Sequence, residues 1–156
     1  MNGKTASSAL FDLGLCRVVD LTLRLRTGHS DTNTNRMGMK TKRMLCVEDQ
    51  KETCELITSV LRDFDVVSVA TKADAVESCK KGSFDLIILD YYLPDGTGEE
   101  LCKYIRIFDK RTPILFITGS EDFSETRSRL IGAQGMLKKG RPTFVSELRA
   151  RATELS

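Results

Sequence analysis

Residues 84–98 read Phe84-Asp85-Leu86-Ile87-Ile88-Leu89-Asp90-Tyr91-Tyr92-Leu93-Pro94-Asp95-Gly96-Thr97-Gly98, and they decide the fold. An apolar, β-branched run of this length reads as a strand buried on both faces. Pro94, Gly96 and Gly98 then force the chain out of the sheet. Asp90 is thereby delivered to the carboxyl end of a core strand, which is where open α/β sheets place their ligands. A strand that only needed to end could do so in Ser or Asn.

The pattern repeats on either side of this run. Residues 44–47 form a short buried strand, and residues 50–64 have helical spacing in Cys54, Ile57, Val60 and Leu61. A strand over 66–70 is followed by a helix that Thr71 caps and Gly82 ends. Leu101, Tyr104, Ile105 and Phe108 make one stripe of a helix over 98–109. A strand over 113–118 tolerates Pro113 at its first residue. A weaker helix over 121–131, a short strand over 135–137 and a helix over 142–155 complete the series. Alternating strands and helices of this length require right-handed crossovers and a parallel sheet. The expected fold is α/β, a flavodoxin-like doubly wound (βα)5 sandwich with strand order 2-1-3-4-5 and a switch point between strands 1 and 3.

The chain has 156 residues and a net charge of +2, but the charge is unevenly placed. Residues 1–43 carry 8 Lys/Arg and 3 Asp/Glu; the remainder carries 16 and 19. A change of sign marks a boundary. Residues 30–42 are polar and rich in Gly, Asn and Thr, as linkers and disordered segments are. Leu21, Leu23 and Leu25 alternate with polar residues as in a strand, but nothing there pairs with it. The expected domains are therefore a disordered extension over 1–43 and a folded domain over 44–156, with Met37, Met39 and Met44 as alternative starts. Dispersed cations without interleaved aromatics predict no nucleic-acid partner. No apolar stretch approaches the roughly 20 residues that span a bilayer, which predicts no membrane partner. Cys16, Cys46, Cys54, Cys79 and Cys102 show no C-x-x-C spacing, so they read as small core residues in a reducing, cytoplasmic setting.

Chemistry concentrates at the strand ends. The first strand ends in Glu48-Asp49 and the third in Asp90, and the predicted order makes these strands neighbours. Three carboxylates at one rim repel unless a cation sits among them. Hard oxygen donors suit Mg²⁺, Mn²⁺ or Ca²⁺. Mg²⁺ held by one or two carboxylates completes its octahedron with water and phosphate oxygens, so the cluster points to phosphoryl chemistry. Thr118 ends the fourth strand and Lys139 follows the fifth; a hydroxyl and an ammonium there would hold phosphoryl oxygens. Taken singly, each residue has an ordinary alternative. Glu48 and Asp49 could cap the first helix, Asp90 could form an Asx turn, and Thr118 and Lys139 could be an ordinary strand residue and a solvated lysine.

Four segments together resemble the receiver domain of two-component response regulators: Leu45-Cys46-Val47-Glu48-Asp49, residues 85–98, Pro113-Ile114-Leu115-Phe116-Ile117-Thr118-Gly119, and Gly132-Ala133-Gln134-Gly135-Met136-Leu137-Lys138-Lys139. The resemblance implies that Asp90 is the phosphoacceptor and Asp49 a direct ligand of Mg²⁺ or Mn²⁺. Glu48 would act mainly through a metal-bound water, and the backbone carbonyl of Tyr92 would complete the protein ligands. Thr118 would bond the phosphoryl group. Lys139, chosen over Lys138 by family spacing and strand alternation, would pair with Asp90 or its phosphate. The donor would be a sensor histidine kinase, a phosphotransfer protein or a small phosphodonor, and the output phosphorylation-dependent binding of a protein target. The resemblance thus implies a stand-alone switch rather than a turnover enzyme. A constitutive interaction module of the same fold is the alternative, and a metal-dependent phosphohydrolase is disfavoured because Tyr92 stands where a general acid is needed.

Two positions depart from the family pattern. Gly140 replaces the proline after the lysine, so the loop either keeps a cis bond at about 3 kcal/mol or goes trans and shifts Lys139. Met136 replaces the switch aromatic, which predicts altered coupling to Thr118 because Met has no single fixed rotamer. Tyr92, two residues after the acceptor, predicts slow loss of the phosphate.

Overall fold

A computed structural model describes residues 41–156; the extension assigned to residues 1–43 lies outside the described residues except for its last three. The chain runs β1 (Arg43–Val47), α1 (Lys51–Val60), β2 (Asp65–Val69), α2 (Lys72–Lys81) and β3 (Leu86–Asp90). It continues through β4 (Tyr92–Leu93), β5 (Gly96–Thr97), α3 (Gly98–Phe108), β6 (Ile114–Thr118), α4 (Glu125–Leu130), β7 (Gly135–Lys138) and α5 (Phe144–Leu155). The main sheet has the order β2-β1-β3-β6-β7 with every pair parallel. Counting its five strands in sequence, that is the expected 2-1-3-4-5.

Period-two alternation sorts the strand side chains into two layers. Leu45, Val47, Ile87, Leu89, Ile114 and Phe116 face one way, where Ala75 of α2 and Leu101, Cys102 and Ile105 of α3 cover them. Met44, Cys46, Leu86, Ile88, Leu115 and Ile117 face the other, under Ile57 of α1 and Leu148 and Ala152 of α5. Each fully buried Leu, Ile or Phe contributes about 1.5–3 kcal/mol relative to exposure. β3 and β6 are buried at every residue, as the apolar run before Asp90 predicted for β3.

Helix ends follow local chemistry. The Thr71 hydroxyl accepts from the Asp74 N–H and caps α2. Thr97 and Glu100 make a capping box at α3. α1 is capped by neither Glu48 nor Asp49; its N-cap is Gln50, without a side-chain bond. Arg106 reaches from α3 to the carbonyls of Gly132, Asp109 and Thr112, each at 2.9 Å, tying together the loops before β6 and β7.

Several boundaries differ from the periodicity. β1 begins at Arg43, whose N–H donates to Asp85 and whose guanidinium lies over Phe84. α1 stops at Val60, and residues 61–64 close as a turn in which the Phe64 N–H donates to the Leu61 carbonyl. α4 begins at Glu125 rather than near residue 121, because Ser124 accepts from the Arg127 N–H and sets the start. Phe123 just before it is fully buried and stacks on Tyr91 at 4.5 Å. The turn after Asp90 contains a small antiparallel hairpin, with Tyr92 opposite Thr97 and Leu93 opposite Gly96. Cys46, Cys54, Cys79 and Cys102 are free thiols. Burial pushes the Cys46 thiol far above its ordinary value and those of Cys79 and Cys102 to about 11, as expected of packing residues.

Candidate functional site

The switch point places β1 beside β3 with Val47 opposite Leu89, so Glu48, Asp49 and Asp90 emerge at one rim. One oxygen from each carboxylate lies within 4.8 Å of the others. Glu48 and Asp90 are buried and Asp49 is exposed. The rim opens into a cleft of about 790 Å³ lined by Asp49, Asp90, Tyr92, Ser120 and Lys139, among others.

Lys139 enters from the opposite side. Its backbone N–H donates to the Thr118 carbonyl at 2.9 Å. Its ammonium lies 2.6 Å from Glu48 Oε2 and 3.0 Å from Asp90 Oδ2. Lys138 points elsewhere: its ammonium donates to the Ser120 carbonyl and lies 3.3 Å from Glu121. The two lysines therefore separate as strand alternation predicted. Gly140 has φ +79°, a left-handed conformation that proline cannot adopt. The backbone after Lys139 thus takes a path of its own, with the Lys139 ammonium at the acidic rim.

Asp90 is held by both oxygens. Oδ1 accepts from the Tyr91 N–H at 2.7 Å and Oδ2 faces Lys139. Glu48 Oε1 accepts from the Gln50 N–H at 3.2 Å. Burial pushes both carboxyls above their ordinary range, and the Lys139 ammonium only partly opposes this; the negative charge of Asp90 raises Glu48 further, and that of Asp49 raises Asp90. Three carboxylates facing one ammonium leave an excess of negative charge on hard oxygen donors. That donor set fits a divalent cation of the Mg²⁺ class.

Thr118 is fully buried at the end of β6 and its hydroxyl accepts from the Ser120 N–H at 3.0 Å. This leaves its own O–H as a donor. Gly98 closes the floor: its N–H donates to the Tyr91 carbonyl at 2.8 Å, and a Cβ there would overlap the Asp90 carbonyl oxygen. Met136 is half-buried against the α2–α3 layer, and its N–H donates to Glu125 of α4 at 2.8 Å. Of the residues expected at the site, Glu48, Asp49, Asp90 and Lys139 converge; Thr118 ends the neighbouring strand β6 and meets Lys139 through the backbone. The sequence reading missed Ser120, which positions the Thr118 hydroxyl; the short polar loop of residues 119–122 after a buried strand was its only signal.

Residues 44–152 match the family model described as the response regulator receiver domain. The chain is 33% identical over 112 residues to the transcriptional regulatory protein DltR of Streptococcus agalactiae serotype III, covering 70% of this chain and 49% of that protein. It is 34% identical over 116 residues to the transcriptional regulatory protein CusR of Escherichia coli K12, covering 72% and 50%. It thus spans about half the length of the curated relatives it matches. Among solved structures, a putative response regulator from Chloroflexus aurantiacus superposes with a TM-score of 0.68 at 30% identity, covering 74% of this chain and 98% of that one. The chemotaxis response regulator CheY4 of Vibrio cholerae gives 0.67 at 27% identity, covering 75% and 100%. A matching family model over most of the folded residues, the same strand order and the converging acidic rim agree: the chain belongs to the receiver domain family of two-component response regulators.

Proposed function

We propose that the chain is a phosphorylation-driven switch that accepts a phosphoryl group on Asp90 and signals by a change in what it binds. The observation that carries this reading is the placement of Lys139 between Glu48 and Asp90 at the head of the three-carboxylate rim. Asp49, Asp90 and the Tyr92 carbonyl would hold Mg²⁺ or Mn²⁺, with Glu48 acting through a bound water. When bound, the cation offsets carboxylate repulsion and the charge on phosphoryl oxygens. An Asp90 oxygen attacks the donor phosphorus; the bond from phosphorus to the donor breaks, and the donor leaves with the electron pair. Lys139 and the Thr118 O–H then face two oxygens of the new acyl phosphate. Thr118 turns toward the phosphate, and its bond from Ser120 links that motion to the loop before α4.

The phosphoryl donor would be a sensor histidine kinase or a phosphotransfer protein, and the recipient of the signal a protein bound in a phosphorylation-dependent way. Action in a cytoplasmic phosphorelay is part of the same proposal. Among the described residues no helix is long and apolar enough to cross a membrane. Intact-mass measurement after incubation with acetyl phosphate and Mg²⁺ tests the reading. One phosphoryl adduct on the wild type and none on Asp90→Ala is expected. No adduct on the wild type would leave only a passive module of the same fold, and continuous phosphate release would indicate a hydrolase.

A further inference from the structure

The hairpin after Asp90 is fastened to α2, an element that contributes nothing to the acidic rim. Asp95 Oδ1 accepts from the Lys72 N–H at 2.8 Å and Oδ2 from the Ala73 N–H at 3.0 Å. These are the first two donors of α2; the Asp74 N–H is already bound by Thr71. A solvent-facing helix end can satisfy such donors with water, so a carboxylate brought from a distant loop is not required for α2 to form. A second tie runs alongside. The Lys72 ammonium lies 2.6 Å from Glu100 Oε2, and that same oxygen accepts from the Thr97 N–H at 3.3 Å. Thr97 is paired with Tyr92 across the hairpin.

Asp95 therefore sits three residues beyond Tyr92 at the tip of a hairpin whose two ends are the Tyr92 carbonyl and the start of α3. The hairpin is a two-by-two-residue ribbon, too short to be stable alone; buried Leu93 roots it in the core, and Asp95 fastens its tip. We infer that Asp95 is a positioning residue for the metal site: by locking the hairpin to α2 it fixes where the Tyr92 carbonyl points. This rests on the proposed phosphoacceptor reading, in which that carbonyl is a metal ligand. Groups that orient a ligand from behind are commonly worth 10–100-fold in metal affinity. Asp95 acts at one remove, on a single ligand of several, so the low end applies. The clamp also makes α2 a lever on the site: whatever displaces its N-terminus changes the affinity for the cation.

Isothermal titration of the 156-residue chain with MgCl₂, beside thermal denaturation, tests this. Asp95→Ala is expected to bind Mg²⁺ about tenfold more weakly than wild type. Its phosphorylation rate with acetyl phosphate should return to the wild-type value at saturating Mg²⁺. Asp95→Asn keeps an acceptor for Lys72 but turns an N–H toward that of Ala73, so its affinity should fall in between. Wild-type Mg²⁺ affinity in Asp95→Ala, together with a lowered Tm, would make Asp95 a helix cap only and overturn the inference while the Asp90 reading stands. Absence of Mg²⁺ binding by the wild type would overturn both. If Asp95→Ala does not fold, Asp95→Asn decides: weaker binding supports the clamp, and equal affinity overturns it.

Discussion

Replacing Asp90 by Asn should make the metal-free protein more stable, although it destroys the proposed acceptor. Glu48 and Asp49 each present an oxygen within 4.8 Å of Asp90. At an effective dielectric of about 20, each repulsion is about 3.5 kcal/mol, or about 7 kcal/mol for the two. The attraction to Lys139 at 3.0 Å is about 5.5 kcal/mol on the same scale. Solvent around exposed Asp49 reduces its share, while relief of the desolvation that burial imposes on Asp90 adds to the gain. The balance favours Asn by about 1–2 kcal/mol, and the amide oxygen can still accept from the Tyr91 N–H. For a domain of this size that raises Tm by roughly 5 °C. Thermal denaturation in EDTA measures it. Titrating in Mg²⁺ should then narrow the gap, because the cation binds the wild type better. Asp90→Asn less stable than wild type in EDTA would refute the reasoning: Lys139 would outweigh the repulsion, and a cation would not be needed to relieve it.

Other consequences are as direct. Gly98→Ala puts a methyl group onto the Asp90 carbonyl and against Phe116 and Leu89, so urea unfolding should show a loss of about 3 kcal/mol. Glu99 is bonded to Lys103 and Arg127, and these cations, led by the Lys103 bond, hold its carboxyl below the usual range against burial. A depressed carboxylate contributes stability above its unfolded pKa and loses it as pH falls through the folded one. Glu99→Gln should therefore cost on the order of 1 kcal/mol at neutral pH, with the difference vanishing in acid; pH-dependent urea melts check it. Tyr92 lines the cleft with its ring half-exposed and packed edge-on to Tyr91 at 4.8 Å. Tyr92→Asn should lose phosphate severalfold faster, followed by intact mass after donor removal.

The sequence reading succeeded where the deciding physics is local. The short, β-branched apolar runs of β3 and β6 read as strands, and their ends carry Asp90 and Thr118. Alternation along β7 separated Lys138 from Lys139. The misses have long-range causes. α4 shrank because Phe123 is drawn into the core beside Tyr91 and Phe116, which helical spacing cannot foresee; Ser124 was the readable cap. Asp95 looked like an ordinary turn residue because its partners, Lys72 and Ala73, lie over twenty positions away. Gly140 left open whether the loop keeps a cis bond or shifts Lys139, because a backbone path after the strand is not written in residue spacing; the ammonium lies against Glu48 and Asp90.

The central claim is that Asp90 takes the phosphoryl group, and reductive trapping tests it most directly. Borohydride reduces an acyl phosphate to the alcohol, so a phosphorylated aspartate becomes homoserine, which peptide mapping locates. After acetyl phosphate and Mg²⁺, the account predicts homoserine at position 90 and nowhere else. Homoserine at Asp49 or Asp95, or phosphate retained on a residue that borohydride does not convert, would contradict it.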